Sequence, residues 1–142
     1  MDRHHIASVS FCKDSLAMLL RLIEGDAKLD EVVFFDTGME FQSVYSMRDQ
    51  MRPLLDKHNI TYTELTPEQP FLYNMLERPV NGPNGPHLGY SWCGGVCRWG
   101  TTEKLKVIDK YAESKGAFVY VGIAADEENR LDKRRSKWSE RR

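Results

Sequence analysis

Two short, uninterrupted apolar runs, VVFF at 32–35 and FVYV at 118–121, constrain the fold of this chain more than any other feature. Both are rich in β-branched and aromatic residues, and stretches with helical periodicity separate them from the other apolar runs. This alternation is typical of parallel strands that helices cover on both faces. We therefore expect strands over 5–11, 32–35, 60–65 and 117–123. We expect helices over 15–24, 41–58 and 102–114, the second of them kinked or broken at Pro53.

The order of these elements predicts an α/β fold of Rossmann-like topology in a single domain over 1–142. Its architecture would be three layers, α/β/α, around a mainly parallel sheet of about four to five strands. Hydrophobic residues make up 41% of the chain, which is enough for a packed core. The segment 66–100 is rich in Pro, Gly, Asn and aromatic residues, and we expect a long functional or mobile loop there.

The cellular setting indicated by the sequence is the cytoplasm. No apolar run approaches the roughly 20 residues that a membrane span requires, and no secretory signal opens the chain. Three cysteines, an odd number, are typical of reduced thiols.

Polar side chains follow three of the predicted strands. They are Ser10, Lys13, Asp14 and Ser15 after the first strand, Asp36, Thr37 and Gly38 after the second, and Asp126 and Glu127 after the fourth. The carboxyl ends of parallel strands meet at one edge of a sheet, and ligands of open α/β sheets bind beyond that edge. The three clusters therefore predict a binding site, although a lone acid such as Asp36 can also serve only to make a turn.

The first cluster, in SVSFCKDSLAMLL, has the composition of an anion site. A helix start presents free N–H groups and the positive end of the helix dipole. Ser10 and Ser15 add hydroxyls and Lys13 adds a cation, while Asp14 or Ser15 can cap the helix and Asp14 can hold Mg²⁺. The spacing matches neither GxxxxGK[ST] nor GxGxxG. An ordinary helix cap beside a surface lysine is the alternative interpretation.

Four segments resemble one family. SVSFCKDSLAMLL resembles the S-x-G-K-D-S loop of the ATP-pyrophosphatase (PP-loop) or adenine nucleotide alpha hydrolase-like superfamily. Within it, three further segments are similar to motifs of the phosphoadenosine phosphosulfate (PAPS) reductase family, in order and over most of the chain. They are VVFFDTGMEF, CRWGTTEKLKVIDKY and VGIAADEENRL.

The resemblance implies a bound adenine nucleotide, ATP or a sulfonucleotide such as PAPS or adenosine 5′-phosphosulfate (APS), with Mg²⁺ as a candidate companion. It implies a binding role for residues at the edge of the site. Those around the phosphates would be Ser10, Cys12, Lys13, Asp14 and Ser15; those near the nucleotide Asp36, Thr37 and Gly38; the anion-binding candidates Arg98 and Lys104; those closing the edge Asp126, Glu127 and Arg130.

Three positions depart from the family pattern. The family usually has glycine at Cys12, and often also at Phe11, and the second cysteine of its C-R-x-C segment is Gly100 here. The reductases' C-terminal cysteine segment has no counterpart, so we expect the front portion of a longer family member, and no sulfonucleotide reduction by this chain alone. A non-catalytic module of the same fold, acting through partner or nucleic-acid contacts, is the alternative.

Several other groups are candidates for binding. His87, Cys93 and Cys97 supply three potential zinc ligands, whereas a structural site needs four, so zinc or an iron–sulfur cluster is not expected. Segment 130–142 has seven basic residues and two acidic ones, a composition that suits nucleic acid or a solvated tail. A second copy or a partner subunit could cover an exposed edge of the sheet.

Overall fold

The computed structural model describes residues 3–90, 103–127 and 129. Ten helices and strands are formed by the described residues. They are β1 (His5–Ser8), α1 (Lys13–Glu24), β2 (Glu31–Phe35), α2 (Gln42–Lys57), β3 (Thr61–Leu65), α3 (Phe71–Leu76), β4 (Pro79–Gly82), β5 (Gly85–Leu88), α4 (Lys104–Ser114) and β6 (Phe118–Val121).

The main sheet has four strands in the order β3-β2-β1-β6, and every pair is parallel. This confirms the mainly parallel sheet and the Rossmann-like α/β class. The central strand β1 is shorter than predicted. It ends at Ser8. The Val9 N–H still donates to the Val33 carbonyl of β2, at 3.0 Å, and the chain then turns into α1.

The two faces of the sheet are covered by different helices, because successive side chains of a strand point to opposite faces. On one face, Ala7, Val32 and Phe34 pack with Leu19 of α1 and Leu55 of α2. On the other face, Ile6 and Val33 pack with Ala112 of α4. Residues 32–35 are fully buried, as their uninterrupted apolar run predicts.

Helix α2 continues through Pro53 to Lys57, so of the kink or break that we predicted there, the break is wrong. Met51 and Leu55 on either side of Pro53 are both buried against the sheet. Their packing holds the helix together across the hydrogen bond that a proline cannot donate.

Segment 71–88 is not the loop that we predicted. It contains helix α3 and an antiparallel hairpin in which Asn81 pairs with Pro86. Asn74 fixes this unit: it is 2% exposed, its amide donates to the carbonyls of Gln69 and Pro70, and it accepts from Arg78. The repeated NGP residues therefore form the hairpin's turn, at Pro83 and Asn84, and the strand ends that flank it. Residues 91–102 lie outside the described residues.

At the amino end of the sheet, the Glu31 carboxylate is fully buried. It accepts hydrogen bonds from Thr63, Tyr111, Lys115 at 2.9 Å and His4 at 2.8 Å. Burial alone raises the pKa of Glu31, but these donors outweigh it and lower the pKa from 4.5 to about 2. We refer to Glu31 and its four donors as the amino-end network.

None of the helices in the described ranges is long and apolar enough to span a membrane.

Candidate functional site

The strand order reverses beside β1. The chain passes from β1 through α1 to β2 on one side, whereas β6 lies on the other side of β1. In open α/β sheets the crevice at such a reversal, beyond the carboxyl ends of the strands, is the usual place for a ligand. The segment that joins β1 to α1 and the segment that follows β6 flank this crevice.

Ser15 holds the turn between β1 and α1 in shape. Its hydroxyl donates to the Cys12 carbonyl and accepts from the Ser10 backbone N–H, both at 3.1 Å. Because the Ser15 proton is committed to Cys12, the Ser10 hydroxyl donates to Ser15, also at 3.1 Å. Ser15 is 8% exposed, so it orders the loop from within, while Ser10 lies closer to the surface.

The backbone of this turn is unusual at Phe11, whose φ is +56°. This left-handed conformation is disfavoured for a residue with a bulky side chain. Packing holds it: Phe11 is 4% exposed, and its ring meets Phe34 edge-on with centroids 5.3 Å apart. Cys12, by contrast, has an ordinary φ of −87° and an exposed side chain. The left-handed position of the loop is therefore Phe11 and not Cys12.

Helix α1 begins without a side-chain cap. Its N-cap is Cys12, so the predicted capping by Asp14 or Ser15 is wrong. The Cys12 carbonyl accepts from the Leu16 N–H at 2.9 Å. The backbone amides before Leu16, in the first turn of α1, have no acceptor within the helix. Lys13, with 90% of its side chain exposed, lies beside Asp14 with Nζ and Oδ1 3.7 Å apart. The helix end therefore offers backbone donors and one mobile cation.

Gly122, directly after β6, packs against this helix end. A Cβ atom there would lie 2.9 Å from the Asp14 carbonyl oxygen and 3.0 Å from the Ser15 Cα. Only glycine permits this approach without movement of the α1 backbone. The segment that follows β6 and the start of α1 therefore meet at the carboxyl edge of the sheet.

The turn after β2 is organised by Asp36. Its Oδ1 accepts from the Gly38 N–H at 2.8 Å and from the Tyr45 hydroxyl at 2.7 Å. Burial, and then the bond to Asp36, raise the pKa of Tyr45. Gly38 has a φ of +77°, which explains the glycine at this position. Both contacts use Oδ1, so within the described part of the chain Oδ2 is left to accept from a ligand.

A cleft of about 410 Å³ opens beside that turn. It is lined on one side by the loop after β2 and on the other by the segment that leads from β3 into α3. The lining residues are Asp36, Thr37, Gly38, Met39, Thr66, Pro67, Glu68, Pro70, Phe71 and Leu72.

The remaining candidates differ in position. Asp126 is exposed, and Glu127 folds back so that Oε2 accepts from the Ala124 N–H at 3.4 Å. Lys104 is the first residue of α4, and α4 begins at the carboxyl edge because it leads back to the start of β6. Arg98 and Arg130 lie outside the described residues.

The candidate metal ligands are not assembled in the described ranges. His87 is exposed on β5, and Cys93 and Cys97 lie outside those ranges. Among residues 3–90, 103–127 and 129, no three His, Cys, Asp or Glu side chains form a group that could hold a metal ion.

Sequence reasoning missed Gly122 and Tyr45 as parts of the site. Gly122 carried a signal, since a glycine at a strand end often marks a close backbone approach. Tyr45 carried none, because its helical spacing places it among apolar residues and only the fold brings its hydroxyl to Asp36.

One comparison with known proteins gave a match. The family model described as "Phosphoadenosine phosphosulfate reductase domain" matches residues 4–140. No curated protein and no solved structure matched.

Proposed function

The chain belongs to the phosphoadenosine phosphosulfate reductase domain family, and from that premise we propose that it binds an adenine nucleotide, either ATP or a sulfonucleotide of the PAPS and APS class. The phosphates would lie against the turn at 10–15, and the nucleoside would extend toward Asp36.

The observation that carries the proposal is the uncapped start of α1 at the reversal of the strand order. Free amides and the helix dipole together attract an anion, and this helix end has no side-chain acceptor of its own to satisfy them. Gly122 lets the segment after β6 lie close to this helix end, and it has no side chain that would fill the crevice.

Lys13 and Asp14 would act on opposite charges. Lys13 is exposed and unbranched, so its ammonium group can follow the phosphates. Asp14 would repel a phosphate directly but offers a hard carboxylate oxygen. Mg²⁺ in proteins is held by one or two such oxygens together with substrate phosphates. Asp14 therefore fits a magnesium ion that arrives with the nucleotide.

Asp36 and the Ser10 hydroxyl would orient the nucleotide. Oδ2 of Asp36 can accept from a ribose hydroxyl, while Oδ1 remains engaged by Gly38 and Tyr45. The backbone amides of the turn at 10–15, with Lys13, would stabilise the negative charge that develops at a phosphorus or sulfur centre.

Calorimetric titration tests the proposal. The chain is titrated with ATP, PAPS and APS in the presence of Mg²⁺, beside Lys13→Ala. Lys110→Ala is the control, because Lys110 is an exposed lysine in the middle of α4. We expect saturable binding of at least one nucleotide that weakens about tenfold or more in Lys13→Ala, equal to at least ~1.4 kcal/mol, and is unchanged in Lys110→Ala.

Two results would contradict the proposal. Equal nucleotide affinity in Lys13→Ala and the original chain would mean that the phosphates do not bind at the turn at 10–15. A folded sample that binds none of the three nucleotides would refute nucleotide binding altogether.

A further inference from the structure

We propose that Tyr45 is a positioning residue that makes the nucleotide site selective for a ribose over a deoxyribose. It acts by fixing the Asp36 carboxylate in a position where a sugar hydroxyl can donate to it. The inference rests on the proposed function, since it needs a nucleotide whose sugar reaches Asp36.

Asp36 lies where a carboxylate can meet a ribose. It follows β2 directly, at the carboxyl edge of the sheet. In dinucleotide-binding α/β folds, an acidic side chain about 20 residues after the first turn accepts from a ribose hydroxyl, and Asp36 has a similar place after the turn at 10–15. A carboxylate only accepts hydrogen bonds and a sugar hydroxyl can donate one, so the two groups match.

Two donors from different parts of the chain hold Oδ1 of Asp36. The Gly38 N–H lies 2.8 Å from it within the loop, and the Tyr45 hydroxyl lies 2.7 Å from it on α2. The last torsion of an aspartate side chain is soft, so the Gly38 bond alone would let the carboxylate plane rock. The Tyr45 bond fixes that plane, and it thereby fixes the position of Oδ2.

Tyr45 is itself held in place by Arg48. The guanidinium carbon of Arg48 lies 5.2 Å from the centroid of the Tyr45 ring, which is within the range of a cation–π contact. Arg48 also donates to Asp49 at 2.8 Å and to Glu64 of β3 at 3.2 Å. Burial, and then the bond to Asp36, raise the pKa of Tyr45, so its hydroxyl keeps its proton at neutral pH and remains a donor. The donor that fixes Asp36 is therefore anchored by β3 as well as by α2.

A nucleotide that lacks the sugar hydroxyl would leave Oδ2 of Asp36 without a donor from the ligand. Sites that bind a hydroxyl reject analogues without it, because a polar group of the site is then left unpaired. Asp36 is half-buried, so water can replace part of the lost bond. We therefore expect a selectivity of about tenfold, well below the ~10⁴-fold of sites that bury such a group completely.

Calorimetric titration of the full chain with Mg²⁺ tests the inference. The probes are ATP, APS and PAPS, the 2′-deoxy form of each, and the 3′-deoxy forms of ATP and APS. We expect at least one deoxy form to bind the original chain about tenfold more weakly than its parent nucleotide. Tyr45→Phe keeps the ring and removes the donor. It should weaken binding of the parent nucleotide and leave that of the deoxy form unchanged, so that the selectivity falls below about threefold.

Tyr111→Phe is the matched control. The Tyr111 hydroxyl donates to the Glu31 carboxylate at 2.7 Å, the same distance as between Tyr45 and Asp36, but it does so at the amino end of the sheet. This variant should lower the free energy of unfolding and leave the ratio of the two affinities unchanged.

Three results would overturn the inference. They are equal affinity of the original chain for every deoxy form and its parent, an unchanged selectivity in Tyr45→Phe, and an equal loss of selectivity in Tyr111→Phe. The proposed function survives each of these results if Lys13→Ala still weakens nucleotide binding. If the folded original chain binds no nucleotide, the proposed function and this inference fail together.

Discussion

The two ends of the parallel sheet use polar side chains in opposite ways. At the amino end, the buried Glu31 carboxylate has four donors, and the network closes on itself. At the carboxyl end, Lys13 and Asp14 are exposed, and α1 starts without a side-chain cap. The polar groups at the amino end therefore stabilise the folded state, and those at the carboxyl end remain available to a ligand.

Because of this difference, the stability of the fold and the binding of a nucleotide should respond to different substitutions. A change at the amino end should alter the free energy of unfolding and leave nucleotide affinity alone. A change at the carboxyl end should do the reverse. Gly122 is the exception, because the backbone after β6 meets the start of α1 there. The following experiments test this separation.

Glu31→Ala should have the largest effect. It leaves Lys115, Tyr111, Thr63 and His4 without their shared acceptor. Water can reach Lys115, which is 39% exposed, so the cost comes mainly from donors left without a partner, at about 1–3 kcal/mol each, and we expect about 3–5 kcal/mol in all. Urea denaturation should show this loss, while Glu24→Ala, an exposed acid in α1, should change the free energy of unfolding by less than about 0.5 kcal/mol. A loss below about 1 kcal/mol for Glu31→Ala would mean that the network does not stabilise the fold.

The same network predicts acid sensitivity. The pKa of Glu31 is lowered from 4.5 to about 2 in the folded chain, so its contribution to stability is fully present above pH 4.5. It is lost as the pH falls from 4.5 to 2, by roughly 3 kcal/mol at 1.36 kcal/mol per pKa unit. Urea denaturation at several pH values should show this slope, and Glu31→Gln should flatten it. An equal slope in both chains would assign acid unfolding to other carboxyl groups.

Gly122→Ala should affect both properties, to a smaller extent. The new methyl group meets the Asp14 carbonyl and the Ser15 Cα at about 3 Å, so the start of α1 must shift. We expect a loss of stability of about 1–3 kcal/mol, as for other overpacked sites, and a nucleotide affinity about tenfold lower, or ~1.4 kcal/mol. Gly25→Ala at the other end of α1 is the control, and its affinity should be unchanged. Undiminished affinity in Gly122→Ala would separate the β6 exit from the site.

Cys12→Gly should have the smallest effect. Cys12 already has an ordinary φ and an exposed side chain, so glycine relieves no strain there. We expect nucleotide affinity to change less than about threefold, under ~0.7 kcal/mol, in calorimetry. Binding that appears only in Cys12→Gly would favour the alternative interpretation, a module of the same fold that has lost nucleotide binding.

The sheet was predictable because its signals are local. The fully buried run at 32–35 and the helical spacing around it require a parallel, doubly covered strand whatever the rest of the chain does. The position of the three polar clusters at one edge follows from that topology alone. The close approach of Gly122, after β6, to the start of α1 is consistent with the same topology.

Most of what the sequence does not reveal depends on contacts between residues that are far apart in the chain. Glu31 opens a buried strand, and only the arrival of Lys115 and Tyr111 from distant sequence positions makes its charge tolerable there. The sequence predicts a loop around Asn74 and the hairpin at 79–88, because Pro, Gly and Asn mark turns without revealing which strands the turn joins. The cap of α1 is a local exception: the Ser15 hydroxyl bonds backward to Cys12 and Ser10 and so does not cap the helix.

The left-handed backbone at Phe11 links the turn at 10–15 to the interior. Its left-handed conformation is held by contact with Phe34, a fully buried residue of β2. Sequence drift in the apolar interior can therefore retune ligand affinity without altering any residue at the surface. Related chains with identical KDS motifs but different partners for Phe11 should differ in affinity, and a search for function that compares only the motif would treat them as equivalent.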